Sequence, residues 1–193
     1  MQSIYQETIK FAARKHGETS QTIPGTNLPY VVHLSNVVME ILMAAQETKD
    51  FDLKYAIQVA LLHDTLEDTN TTFEELQETF SSEVAQAVLA LTKDKDIPKA
   101  EQMADSLTRI KKLPKEVWTV KLADRITNLQ APPAHWSPEK IQAYQTQSLQ
   151  IALELKGSNR YLEERLNQKI NEYSTYCPKI RTGSRDEPLK ILT

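Results

Sequence analysis

Apolar positions recur with helical period along most of this chain. Tyr5, Ile9, Ala12 and His16 stand at i, i+4, i+7 and i+11, which predicts a first helix ending near His16 with Gly17 as its stop. Residues 17–29, GETSQTIPGTNLP, carry turn chemistry without periodicity and are expected to form a surface loop long enough to hold function. A second helix is expected over residues 31–46, where Val37, Ile41 and Ala44 share a face with His33. In the third, expected over residues 52–68, Tyr55, Val59, Leu62 and Leu66 make one stripe and Ala56, Ala60 and His63 another beside it. A helix apolar nearly all round is a central one, buried on several sides.

The later segments are marked by their start signals. Thr71 or Thr72, with Glu74 or Glu75 three residues on, reads as a capping box opening a helix to about Phe80, and a further helix follows over residues 82–92. Pro98, Pro114 and Pro138 each suit a first helical position, the last behind Ser137 as N-cap, which predicts helices near 98–112, 114–130 and 137–156. Gly157 and Ser158 end that run, and residues 159–175 turn Tyr161, Leu162, Leu166 and Ile170 inward. From Pro178 the sequence is basic and polar without periodicity, so residues 1–177 are expected to form one domain and residues 178–193 a tail.

Composition agrees with an all-α fold. Only four glycines occur in 193 residues, and 40% hydrophobic content supports one substantial core rather than two enzyme domains. The net charge of −3, from 23 basic against 26 acidic residues, gives no overall bias toward nucleic-acid polymers or anionic membranes, so any anionic ligand must be met by a local patch. The N-terminus lacks the pattern of a signal peptide, and Cys177, the single cysteine, cannot form an intrachain disulfide; a cytoplasmic protein is expected.

The chemistry concentrates in "VALLHDTLEDTN", residues 59–70. On a continuous helix His63 lies over Glu67 and Asp64 over Asp68. Several carboxylates buried together repel, and a divalent cation resolves that conflict. His63 and Asp64, about 100° apart around the helix, can share one ion if other helices bring further ligands. His33 and Asp124, each within an apolar helical segment, are the candidates. Two imidazoles with two carboxylates suit Mn²⁺, Fe²⁺, Co²⁺ or Zn²⁺. Taken singly, His33 reads sooner as a hydrogen-bonded core histidine than as a ligand, and Asp124 as a cap or a partner of Arg125; the adjacent His63–Asp64 pair at the end of a buried helix is what favours the metal reading.

The ordered set His33, His63–Asp64 and Asp124 resembles the H…HD…D signature of the HD-superfamily metal-dependent phosphohydrolases. More narrowly, "FAARKHG", "LPYVVH", "ALLHDTLEDTNTT", "LTKDKDIPK", "VKLADRITNL" and "GSNRYLEERL" resemble the stand-alone (p)ppGpp hydrolases, the small alarmone hydrolases that include SpoT-like animal proteins. The resemblance implies a single-domain HD-type helical bundle. It implies that His33, His63, Asp64 and Asp124 hold one ion, usually Mn²⁺ in that family, and that Glu67 and Asp68 orient or deprotonate the attacking water. The implied reaction removes the 3′-pyrophosphate from ppGpp or pppGpp, with Lys15, Lys99, Asn128 and Tyr144 contacting the nucleotide and Arg14 and Lys95 close by in sequence.

The chain also departs from that pattern. "ETSQTIPGTNLPYVVHL" lacks the basic cluster of relatives, carries extra residues and has Leu34 in place of their proline, while the stretch between Asn128 and Trp136 is shorter. The holding of the distal phosphates is thereby altered. Two alternatives stay open: another nucleotide phosphohydrolase, acting on (p)ppApp or on the 2′-phosphate of NADPH, and a non-catalytic nucleotide sensor.

Overall fold

In a computed structural model, residues 1–178 are described. Residues 179–193, which hold nearly all of the expected tail, lie outside them. Ten α-helices form among the described residues: α1 (Gln2–Glu18), α2 (Val31–Gln46), α3 (Leu53–Leu62), α4 (Thr65–Asp68), α5 (Phe73–Thr79), α6 (Ser82–Leu91), α7 (Gln102–Ile110), α8 (Lys115–Asn128), α9 (Pro138–Glu154) and α10 (Arg160–Tyr173). A 3₁₀ turn over Ser174–Tyr176 follows.

Helix α3 is the hub, packed against α1, α2, α6 and α8. Ala56, Ile57, Val59, Ala60, Leu61 and Leu62 are all buried, which bears out its all-round apolar reading. Around it, α2 buries the face carrying His33, Val37, Ile41 and Ala44, and α8 buries every residue from Thr119 to Ile126. Both of these helices place polar groups inward beside the end of α3, and that convergence creates the site.

The third helix is not continuous. It ends at Leu62 and a separate turn of helix, α4, restarts at Thr65. Side chains compete with the backbone there: the His63 ring Nδ1 lies 2.8 Å from the Ala60 carbonyl oxygen, and the Thr65 hydroxyl donates to the Leu62 carbonyl at 2.7 Å. Asp64 takes φ −103° and ψ 0°, outside helical geometry, which interrupts the column expected from His63 to Glu67, while the Asp68 amide still donates to the Asp64 carbonyl.

Other boundaries move for equally local reasons. Gly17 lies inside α1; the chain turns at Ser20, whose φ is +53°, after the Thr19 hydroxyl has taken the His16 carbonyl. Pro98 does not open α7. It heads a turn in which the Glu101 amide donates to its carbonyl, and the helix begins at Gln102. Pro114 caps α8 from outside, whereas Pro138 does begin α9 with Ser137 as cap. Thr72 caps α5 by accepting from the Glu75 amide, as half of the expected box.

The 17–29 loop is ordered by its own backbone. The Gln21 amide donates to His16, Tyr30 donates back to Gln21, and Ile23 donates to Leu28, closing a small hairpin with Gly25 at φ +79°. No helix among the described residues is long and apolar enough to cross a membrane.

Leu61 is fully buried in α3. Leu61→Ala is expected to lower stability by about 2–5 kcal/mol, read as a drop in the urea unfolding midpoint at unchanged slope.

Candidate metal centre and adjoining cleft

His33 enters from the first turn of α2, His63 and Asp64 from the break after α3, and Asp124 from α8. One donor atom from each lies within 4.8 Å of every other. His33 Nε2 is 3.5 Å from Asp124 Oδ1; His63 Nε2 is 3.6 Å from the same oxygen and 2.9 Å from Asp64 Oδ2. All four candidates from the sequence are therefore brought together.

The donor chemistry fits a divalent ion. Both imidazole Nε2 atoms are buried and lack a hydrogen-bond partner, although they face carboxylate oxygens. For His63 one proton is placed by its surroundings: Nδ1 donates toward the Ala60 carbonyl, so Nε2 is the atom that would exchange its own proton for a cation. Burial works to lower the His63 imidazole, but the Asp64 and Asp124 carboxylates outweigh it and hold it well above its ordinary value. Burial also works to raise both carboxyls. The charge of His63 overcomes this at Asp64, and the Lys121 ammonium, joined by the two nearby histidine rings, overcomes it at Asp124, so each stands below the carboxylate range.

A second set of groups aims these ligands. The Tyr30 hydroxyl donates to Asp64 Oδ2, and burial together with that carboxylate raises the phenol far above its ordinary value. Lys121 Nζ donates to Asp124 Oδ2 at 3.2 Å, and the Asn128 amide donates to Asp124 Oδ1 at 2.5 Å. Asp124 thus pairs with Lys121, one turn back, and not with Arg125. Arg125 is buried under the Tyr144 ring, its guanidinium carbon 4.1 Å from the ring centroid.

The outer acids, neighbours in α4, take different partners. Glu67 receives the Lys93 ammonium at 2.7 Å and the Lys93 amide at 3.1 Å, which ties it to the segment after α6; Lys95 donates to its carbonyl. Asp68 sits on the open rim and accepts from the Gln21 amide at 2.8 Å. Desolvation of its inner side and then the charge of Asp64 raise its carboxyl above the ordinary range.

A cleft of about 450 Å³ opens beside His33. Asn128 and Tyr144 line it, together with Ile23 and Pro24 of the hairpin and Trp136, whose ring lies 5.2 Å from Tyr144 and nearly edge-on. Burial pushes the Tyr144 phenol up to about 12. Of the remaining candidates, Lys15 is occupied by Glu75 at 2.6 Å and lies over the Phe11 ring, as does Arg14, while Lys99 is exposed in the turn before α7. Tyr30, Lys121, Gln21 and Trp136 escaped the sequence reading. Only Lys121 left a local signal, at i−3 from Asp124.

Residues 8–159 match the family model described as HD domain. This chain belongs to the HD domain family. It is 39% identical over 175 residues to the Danio rerio guanosine-3′,5′-bis(diphosphate) 3′-pyrophosphohydrolase MESH1, covering 88% of this chain and 94% of that one. The Homo sapiens protein of the same name is 36% identical over 171 residues, covering 86% and 92%. A solved structure described as a metazoan ortholog of SpoT that hydrolyzes ppGpp and plays a role in starvation responses aligns with TM-score 0.75 at 28% identity, covering 88% of this chain and 94% of the other. A Listeria monocytogenes structure shares the fold at TM-score 0.60 and 20% identity, covering 77% and 99%.

Loss of an aiming group in such a cluster is expected to be read in ion affinity. Tyr30→Phe keeps the ring and removes the hydrogen bond to Asp64; about 10–100-fold weaker divalent-cation binding by calorimetry is expected, with the fold retained by circular dichroism.

Proposed function

We propose that this chain is a Mn²⁺-dependent guanosine-3′,5′-bis(diphosphate) 3′-pyrophosphohydrolase, with residues 1–177 as the catalytic unit. The observation that carries the proposal is a buried two-histidine, two-carboxylate cluster opening onto an aromatic cleft of nucleotide size. The names of the similar animal proteins, which match over nearly their whole length, support the substrate.

His33, His63, Asp64 and Asp124 would hold the ion, and the mixed N/O donor set supports Mn²⁺ among the divalent transition metals. When bound, such an ion lowers the pKa of a water and polarises a phosphoryl oxygen. Asp68 is assigned the water's proton: it is open to solvent on the rim, and its raised carboxyl is a stronger base than an ordinary aspartate. Glu67, held by Lys93, is assigned the orientation of that water. In the net reaction the water's hydroxyl joins phosphorus, the bond from phosphorus to the ribose 3′-oxygen breaks, and the oxygen leaves with a proton as pyrophosphate departs.

Tyr144 and Asn128 are assigned to the nucleoside, which the cleft admits beside Trp136. Stacking on a ring backed by the Arg125 guanidinium holds the base without a fixed hydrogen-bond code. Lys15 and Lys99 are assigned to the outer phosphates, Lys15 by exchanging Glu75 for a phosphate oxygen.

Purified protein with Mn²⁺ and ppGpp is expected to release pyrophosphate and GDP, to stop on chelation and to resume when Mn²⁺ is restored. Orthophosphate as product, or no release from ppGpp, would overturn the assignment. Glu67→Gln combined with Asp68→Asn is expected to bind Mn²⁺ as the parent does while kcat falls by about 10²–10⁴-fold.

A further inference from the structure

His16, at the end of α1, is buried to 1% exposure and belongs to neither the ligand cluster nor the cleft lining. Its Nδ1 meets the Gln21 side-chain oxygen, and the Gln21 amide nitrogen donates onward to Asp68 Oδ2 at 2.8 Å. The Gln21 backbone is fixed on both sides, donating to His16 at 3.0 Å and accepting from Tyr30 at 3.2 Å. The His16 ring stacks on Tyr30 with centroids 4.8 Å apart, and Tyr30 is the residue whose hydroxyl holds Asp64.

We infer that His16 and Gln21 form a positioning relay that fixes the Asp68 carboxylate on the rim of the ligand cluster. The relay has one sense. An ionised Asp68 only accepts, so Gln21 turns its amide nitrogen to it and its carbonyl oxygen to His16; Nδ1 must then carry the hydrogen, and the buried Nε2 keeps its lone pair without a partner. A histidine buried for packing alone has no need of that tautomer. Tyr30 joins the two halves of the site, since one ring abuts the relay on one face while its hydroxyl holds a metal ligand. Asp64 and Asp68, the N-cap and the last residue of α4, are thus aimed by the same hairpin base, from Gln21 to Tyr30. The effect on rate rests on the phosphohydrolase reading, whereas the relay itself does not.

Two measurements on the full chain test it. In ¹⁵N spectra, His16 is expected to carry its hydrogen on Nδ1; a hydrogen on Nε2 overturns the relay whether or not the protein acts on ppGpp. In steady-state kinetics with ppGpp and Mn²⁺, His16→Phe and Gln21→Ala are expected to lower kcat by about 10–100-fold with KM within about twofold and Mn²⁺ stoichiometry unchanged. His16→Asn, whose amide nitrogen replaces the Nδ1 donor, is expected to restore most of the rate lost in His16→Phe. Gln21 is a half-exposed loop residue, so its variant keeps the test open if a His16 variant fails to fold. Parental kcat in Gln21→Ala, or no rescue by asparagine, overturns the inference. A parent protein inert toward ppGpp defeats the proposed activity instead, and the tautomer still decides the relay.

Discussion

Two carboxylates and two imidazoles are pressed together at the centre of this protein, and the repulsion between Asp64 and Asp124 sets the terms for everything around them. Neither acid is exposed enough for water to relieve its charge. Relief must come from positive charge, and the fold supplies it in graded form: Lys121 on one oxygen of Asp124, hydrogen donors from Tyr30 and Asn128, and a space between the four donor atoms suited to one cation. Helices α2, α3 and α8 must meet closely for this arrangement to exist, which is why the three pack on one another and why α3 is apolar nearly all round.

A division of labour follows from the break after α3. Residues up to His63 answer to the core, and beyond it Thr65 and Leu66 still do, while the outer acids Glu67 and Asp68 answer to the segments opposite them. Glu67 is bound to the segment after α6 and Asp68 to the hairpin after α1, so the two neighbouring acids are governed by opposite ends of the site. Each acid can be aimed without disturbing the other.

The clustering of His33, His63, Asp64 and Asp124 was legible because polar and charged residues inside apolar runs need an explanation, and these four share one. The capping of α5 and α9 was legible as well, since Thr72 and Ser137 act on amides three residues away, whereas Asn159 as the cap of α10 was not read. The interrupted third helix was not. Its cause is competition by the His63 ring and the Thr65 hydroxyl for nearby carbonyls, which leaves the hydrophobic period untouched. Long-range pairings were equally silent: Glu67 meets a lysine 26 positions away, Lys15 meets Glu75 across 60, and neither separation follows a helical repeat. Gly17 and Pro98 misled for the opposite reason, because each is a stop or start signal that a stronger neighbouring contact overrode.

The hairpin between α1 and α2 is cross-linked near its base by Gln21 and Tyr30 and reaches the cleft only with Ile23 and Pro24. Its tip, around Gly25, is free of the bonds that anchor His33. Additions or deletions at that tip therefore remodel the entrance without shifting the chemistry beneath it, and selectivity can evolve there at little risk to turnover.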